Sequence, residues 1–173
     1  LTICSGQAAT INITSAPKNV AGTTLSWSAV ATPNVTGWAS GNGSIINQVL
    51  TTTNSSIGTV TYTITPTANS CNGPTTVVTV TVNPVATANA GPNSSIGEPV
   101  TIPLSGVIGG SAAAGTWSIV PGFGFGTISA STTAGTNVTA TYTVHPSDIG
   151  GQVKLVLTTN DPVGLGPCSI ASD

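Results

Sequence analysis

"TVTYTITPTANSC", residues 59–71, places Val60, Tyr62 and Ile64 at every second position with a threonine between neighbours. Successive side chains of a strand point to opposite faces, so this spacing gathers three large apolar groups on one side and the threonines on the other. A helix would scatter the same residues around its axis. β-Branched threonine keeps strand propensity on the solvent side without adding charge. The run pauses at Pro66, and Asn69 and Ser70 are turn formers. The stretch therefore predicts a half-buried strand followed by a turn that carries Cys71.

The same alternation spreads outward from it. "QAATINIT" (7–14) puts Ala9, Ile11 and Ile13 on one face, "TLSWSAV" (24–30) Leu25, Trp27 and Ala29, and "TVVTVTV" (76–82) Val78, Val80 and Val82. Gly, Pro and Asn punctuate these runs, and no stretch has a helical period. Short antiparallel strands at such spacing predict an all-β sandwich.

Composition narrows the function. Of the 173 residues 39% are hydrophobic, enough for packed cores, but only 3% are Asp, Glu, Lys or Arg, where soluble domains carry about 25%. Hydroxyls and amides supply the polar surface instead. Two basic residues cannot track a phosphate backbone, which excludes nucleic acid as a partner class. No run approaches the roughly 18 consecutive apolar residues of a membrane helix, and Leu1 opens no signal-peptide pattern. Asn-x-Ser/Thr occurs at Asn12, Asn34, Asn42, Asn54, Asn93 and Asn137, a frequency that the abundance of Ser and Thr accounts for by itself.

Past "VNPVATANAGP" (82–92) the pattern starts again, which sets a boundary near Pro84 and predicts two domains, 1–84 and 85–173. "CSGQAATI" (4–11) aligns with "SIGEPVTI" (95–102), and "AGTTLSW" (21–27) with "AAGTW" (113–117). "GTVTYTITPTANSC" (58–71) aligns with "GQVKLVLTTNDPVGLGPC" (151–168), so Val153, Leu155 and Leu157 stand where Val60, Tyr62 and Ile64 stand. "NVTATYTV" (137–144) is then the preceding strand and "HPSDIGG" its connection. After Cys71 copy one continues into "TTVVTVTV", whereas copy two stops soon after Cys168, so its last strand is expected to be incomplete and the sequence to be an excerpt of a longer array.

"ICSGQAATINI", "AGTTLSWS", "TGWASGNGSIINQVL", "GTVTYTITPTANSCNGP" and "VTVTVNP" resemble the PKD-like and Ig-like repeats of very large surface adhesins, the gliding-motility-associated adhesins of Bacteroidota exported by the type IX system. The second half is similar to a sister repeat through "AGP", "GTWS", "HPSDIG" and "LVLTTNDP…GPC". The resemblance implies an extracellular, cell-surface β-sandwich module of a long filament, with neighbouring repeats as partners and surface glycans or copies of itself as further ones. In that oxidising setting Cys4 and Cys71, at equivalent edges of copy one, are expected to form a disulfide. Ser95 replaces the matching cysteine of copy two, and Cys168 is left without a partner.

No catalytic constellation is expected. His145 is the sole histidine, no pair of cysteines has zinc spacing, and "GFGFG" (122–126) lacks the lysine and following helix of a phosphate loop. The chain is expected to be a non-enzyme without an organic cofactor. Structural calcium is one reading of Glu98, Asp148, Asp161 and Asp173, with Asn83, Asn89 and Asn93 as amide ligands near domain ends; ordinary turn chemistry at "TTNDP" is the other. Trp27 and Trp117 align and are expected in the cores. Trp38, in a glycine-rich stretch, and Phe123 and Phe125, in "PGFGFGTIS", are candidate sugar or partner contacts, with folding over a sheet edge as the alternative. The function that follows is structural and adhesive. A carbohydrate-binding accessory module of a secreted enzyme, or a fibre subunit exchanging strands, are the alternatives.

Overall fold

The computed structural model describes residues 1–14, 20–95, 97–98, 100–161 and 167–173. The connection 162–166, on which part of the "NDP…GPC" alignment rests, lies outside them. The chain forms two compact units: Leu1–Pro84 with Gly166–Cys168, and Val85–Leu165 with Ser169–Asp173.

Unit 1 is built from β1 (Thr2–Cys4), β2 (Gln7–Asn12), β3 (Thr24–Ala31), β4 (Val35–Thr36), β5 (Gly41–Asn42), β6 (Ile45–Thr52), β7 (Gly58–Ala68), β8 (Cys71–Asn72) and β9 (Thr76–Asn83). One sheet runs β1-β9-β7-β3-β5 with β8 beside β7, the other β2-β6-β4. The alternation read from the sequence is the packing rule. Val60, Tyr62 and Ile64 of β7 meet Trp27 and Ala29 of β3, Val80 and Val82 of β9, and Ala9, Ile46 and Leu50 from the facing sheet in one core. The threonines of β7 face out and are only half-buried. β7 registers on both neighbours, Trp27 opposite Ile64 on one side and Thr76 opposite Ile64 on the other. The β3–β7 pairing skips over β4, β5 and β6 in chain order, which marks a sandwich rather than a meander, while β7 and β9 pair as near neighbours in sequence.

Beyond Ala68 the chain reverses through Asn69 (φ 49°) and Ser70 (φ 62°) into β8, with Cys71 opposite Ala68. Two left-handed residues make the tight hairpin turn whose twist suits flanking strands, and glycine is favoured at the second of them. Ser70→Gly is therefore expected to stabilise unit 1 by roughly 1 kcal/mol, read as a higher urea midpoint with unchanged slope; a lower midpoint would mean that the Ser70 side chain has a role there.

Unit 2 contains β10 (Thr87–Asn89), β11 (Thr101–Gly109), β12 (Gly115–Ile119), β13 (Thr127–Ile128), β14 (Thr132–Ala134), β15 (Asn137–Thr143), a 3-10 turn at Pro146–Asp148 and β16 (Leu155–Thr159). Its sheets are β10-β11-β15-β13, with β14 on β15, and β12-β16. Trp117, Leu157, Ile108, Val138 and Tyr142 fill the core. Trp117 lies opposite Leu157 as Trp27 lies opposite Ile64, which places the two copies in one frame. On the other side of β16, Leu157 exchanges both backbone hydrogen bonds with Asp173, and Thr159 N–H donates to the Ala171 carbonyl. Residues 171–173 thus occupy the place that the start of β9 has beside β7. The opening strands differ: β1 pairs in parallel with β9, whereas β10 pairs antiparallel with β11.

The disulfide expectation is corrected. Cys4 bonds Cys168, with Cα atoms 5.5 Å apart, and Cys71 is a free, exposed thiol. The reason is the length of β7. Cys4 sits beside Asn83, where β9 leaves the start of β7, while Cys71 sits at the far end of β7 beside Ala68. Eleven residues of strand at about 3.3 Å each hold the two cysteines on the order of 35 Å apart, and a disulfide tolerates no more than about 7 Å between Cα atoms. They lie at opposite poles.

Candidate functional site

Each candidate contact residue lies on a loop tied down by side chains of its own unit. In unit 1 the strap around Trp38 closes over the core. The Trp27 indole N–H (3.2 Å) and the Gln48 amide (2.8 Å) both donate to the Ala39 carbonyl. The Gln48 carbonyl accepts in turn from Ala39 N–H (3.0 Å) and from the Tyr62 hydroxyl (2.8 Å). A buried phenol has to find a partner, and here that need fixes the glutamine that fixes the strap. Burial also raises the Tyr62 pKa. The strap can lie this close because Gly37, at φ 88°, and Gly41 carry no Cβ: one on Gly37 would stand 2.0 Å from the Val49 carbonyl oxygen, one on Gly41 2.7 Å from the Trp27 ring. Trp38 donates its N–H to the Val35 carbonyl (3.1 Å) and leaves 39% of its surface open. Its ring face, not its N–H, is what a ligand could use.

In unit 2 the "GFGFG" loop alternates as a strand does. A Cβ on Gly124 would meet Ile119, Val153 and the Tyr142 hydroxyl, and one on Gly126 would stand 2.2 Å from the Thr143 carbonyl oxygen. Gly124 and Gly126 therefore face inward and the phenylalanines outward. Phe125 is 70% exposed, 6.1 Å between ring centroids from His145. Phe123 is partly exposed under the Lys154 ammonium, 4.1 Å from the ring centroid, a cation–π contact.

Asp148 holds this loop. Its buried carboxylate accepts from Phe125 N–H (2.9 Å), Gly126 N–H (3.1 Å), His145 N–H (3.1 Å) and the Tyr142 hydroxyl (2.5 Å). His145 supplies the other half of the cap, its Nδ1 accepting from Ser147 N–H. Asp148 and His145, distant from any catalytic pattern in sequence, are thus a loop clamp. The only sequence signal for it is "HPSD", a capping residue followed three positions later by an acid.

This corrects Asp148 as a calcium ligand. Both its oxygens are turned to N–H and O–H donors, whose hydrogens occupy the directions a cation would need. Asp173 spends one oxygen on Ala90 N–H (2.8 Å). Glu98, Asp148, Asp161 and Asp173 are not brought together, and among the described residues no group of three or more His, Cys, Asp or Glu could hold a metal.

The hydrogen bond from Tyr142, followed by the three backbone donors, lowers the Asp148 pKa, while burial and then that same bond raise Tyr142. A carboxylate depressed in the folded state contributes stability above its unfolded pKa, and that contribution fades as the pH falls through the folded value. Asp148→Asn, which turns a donor toward donors, is expected to lower the melting temperature of unit 2 by on the order of 10 °C at pH 7. The gap from the native chain should close as the pH drops below about 4. A gap that is constant with pH in parallel melts would show that the charge contributes nothing.

No helix among the described residues is long and apolar enough to cross a membrane. No curated protein matches the chain. Among solved structures, a chimeric titin Z1Z2 functionalized with a KLER exogenous peptide from decorin is 13% identical, with 99% of this chain and 90% of that chain covered and a TM-score of 0.32. Residues 1–86, which span the first of the two sandwiches, match the family of PKD-like domains.

Proposed function

We propose that the chain is a non-catalytic structural segment of an extracellular adhesive filament, a pair of tandem sandwich repeats that spaces or displays other parts of a cell-surface adhesin. The observation that carries this reading is the PKD-like match over residues 1–86 followed by a second sandwich in the same strand frame, Trp117 opposite Leu157 as Trp27 is opposite Ile64. A surface with hardly any charge, lined with threonine and closed by a disulfide, suits a module that works outside the cell. A surface adhesin of gliding Bacteroidota, exported by the type IX system, is the parent that the sequence features favour. Its partners in this reading are neighbouring repeats.

The exposed rings of Phe125 and Phe123 favour a second reading, a carbohydrate-binding module, because planar apolar rings presented from a rigid loop suit sugar faces. A glycan array probed with the full chain, combined with its mass in solution, separates the readings. A spacer is expected to be monomeric and to label no glycan. Labelling that Phe125→Ala abolishes would replace it with the sugar-binding reading, and concentration-dependent multimers would favour a self-assembling fibre.

A further inference from the structure

The two copies carry one cysteine at an equivalent place, and the structure shows what that place does. Ile64 lies opposite Thr76, and Leu157 opposite Asp173, with both residues also facing the core tryptophan of their own copy. Cys71 precedes Thr76 by five residues, as Cys168 precedes Asp173. The strand frame therefore makes Cys71 and Cys168 the same position of the repeat. In copy two that cysteine is bonded to Cys4, the first cysteine of the copy before it. In copy one it is a free thiol, exposed on β8 at the pole opposite Cys4 and presented by the tight Asn69–Ser70 turn.

We infer that Cys71 is the attachment point of a second staple of the same kind, which takes the first-strand cysteine of another PKD-like repeat set ahead of this one. The inference rests on the tandem-repeat reading above. It commits to one partner: a repeat with cysteine where this chain has Cys4, in an "ICSG"-like first strand. Ser95, at the matching place of copy two, makes the series directional, since copy two offers no such thiol to a following repeat. Bond formation needs a disulfide oxidant. The Cys71 thiolate attacks one sulfur of a small-molecule disulfide, whose S–S bond breaks and releases one thiol. The partner thiolate then attacks the Cys71 sulfur, the mixed disulfide breaks and the second thiol leaves. Two cysteine thiols are oxidised and one small disulfide is reduced to two thiols.

The test places a duplicate of residues 1–91 ahead of the full chain, so that the original Leu1 follows the duplicate's Gly91 and the native spacing between repeats is kept. The duplicate carries Cys71→Ser to remove its own loop thiol and Ile3→Val as a mass tag. After folding in a glutathione redox buffer, thiol titration in denaturant is expected to find no free cysteine, and peptide mapping to find Cys71 of the original chain on the tagged Cys4. Two free thiols per chain, or the tagged Cys4 on Cys168, would overturn the inference while leaving the spacer reading to its own experiments. A second measurement stands if the duplicated chain does not fold. In Cys168→Ser of the single chain, Cys4 is released, and linked multimers are expected to hold Cys4–Cys71 bonds between copies in excess of the roughly one half that unselective exchange gives. A ratio at or below that level would equally defeat it.

Discussion

Pulled by its two ends, the oxidised chain is expected to lengthen hardly at all, and the reduced chain to lengthen by on the order of 550 Å. The Cys4–Cys168 bond spans 164 positions, so force applied at Leu1 and Asp173 crosses from one end of the chain to the other through a single covalent bond. Apart from Ile3, every buried residue of both cores lies inside that loop, and neither sandwich can be drawn out while the bond holds. Reduction returns the load to the backbone, and each sandwich then has to unfold for the chain to extend. Force spectroscopy on the full chain with and without a thiol reductant reads the difference directly. Cys168→Ser should behave as reduced in both buffers, and Cys71→Ser as native. Stepwise unfolding of tens of nanometres in the oxidised native chain would show that Cys4 and Cys168 are not bonded in solution. A chain closed this way resists stretching by topology rather than by the strength of its sheets.

Trp117→Ala is expected to abolish the cooperative melting of unit 2 near its native temperature while leaving unit 1 in place. Trp117 is 6% exposed, its indole N–H donates to the Val138 carbonyl (3.1 Å), and its ring fills the space beside Gly106, where a Cβ would stand 2.9 Å from it. Emptying such a site costs about 3–5 kcal/mol, against roughly 5–15 kcal/mol for a whole domain. For a unit of this size that corresponds to a fall of about 15–30 °C. Unit 1 is spared because its core draws on its own strands alone. Calorimetry should show one transition displaced and one retained, with Trp27→Ala giving the mirror result. A displacement under about 5 °C would place the ring outside the structural core.

Much of the fold was legible because a strand writes its burial into every second residue. Val60, Tyr62 and Ile64, then Val80 and Val82, point inward as their alternation requires, and Trp27 and Trp117 occupy matching places. Local periodicity depends only on the residue's own strand, so a single sequence carries it. The loops carried less. "GFGFG" gave no strand length, and which of its residues face Tyr142 follows from Asp148, placed far downstream, catching Phe125 and Gly126 by their amides. Asp148 itself read as a cation ligand because an acid beside a turn looks alike whether its neighbours are N–H donors or a metal ion.

The sequence by itself determined an all-β chain, the inward faces of its strands and the repetition of one strand frame, since each is fixed by residues two apart or by a recurring order. Only the tertiary structure decided the partners across space. Cys4 and Cys71 look like neighbours when the repeat is read as a list, because nothing local says that β7 carries the chain from one pole of the sandwich to the other before Cys71 is reached. A disulfide joins what is close after folding, and closeness after folding is set by strand direction and register, which belong to pairs of strands and not to any one of them.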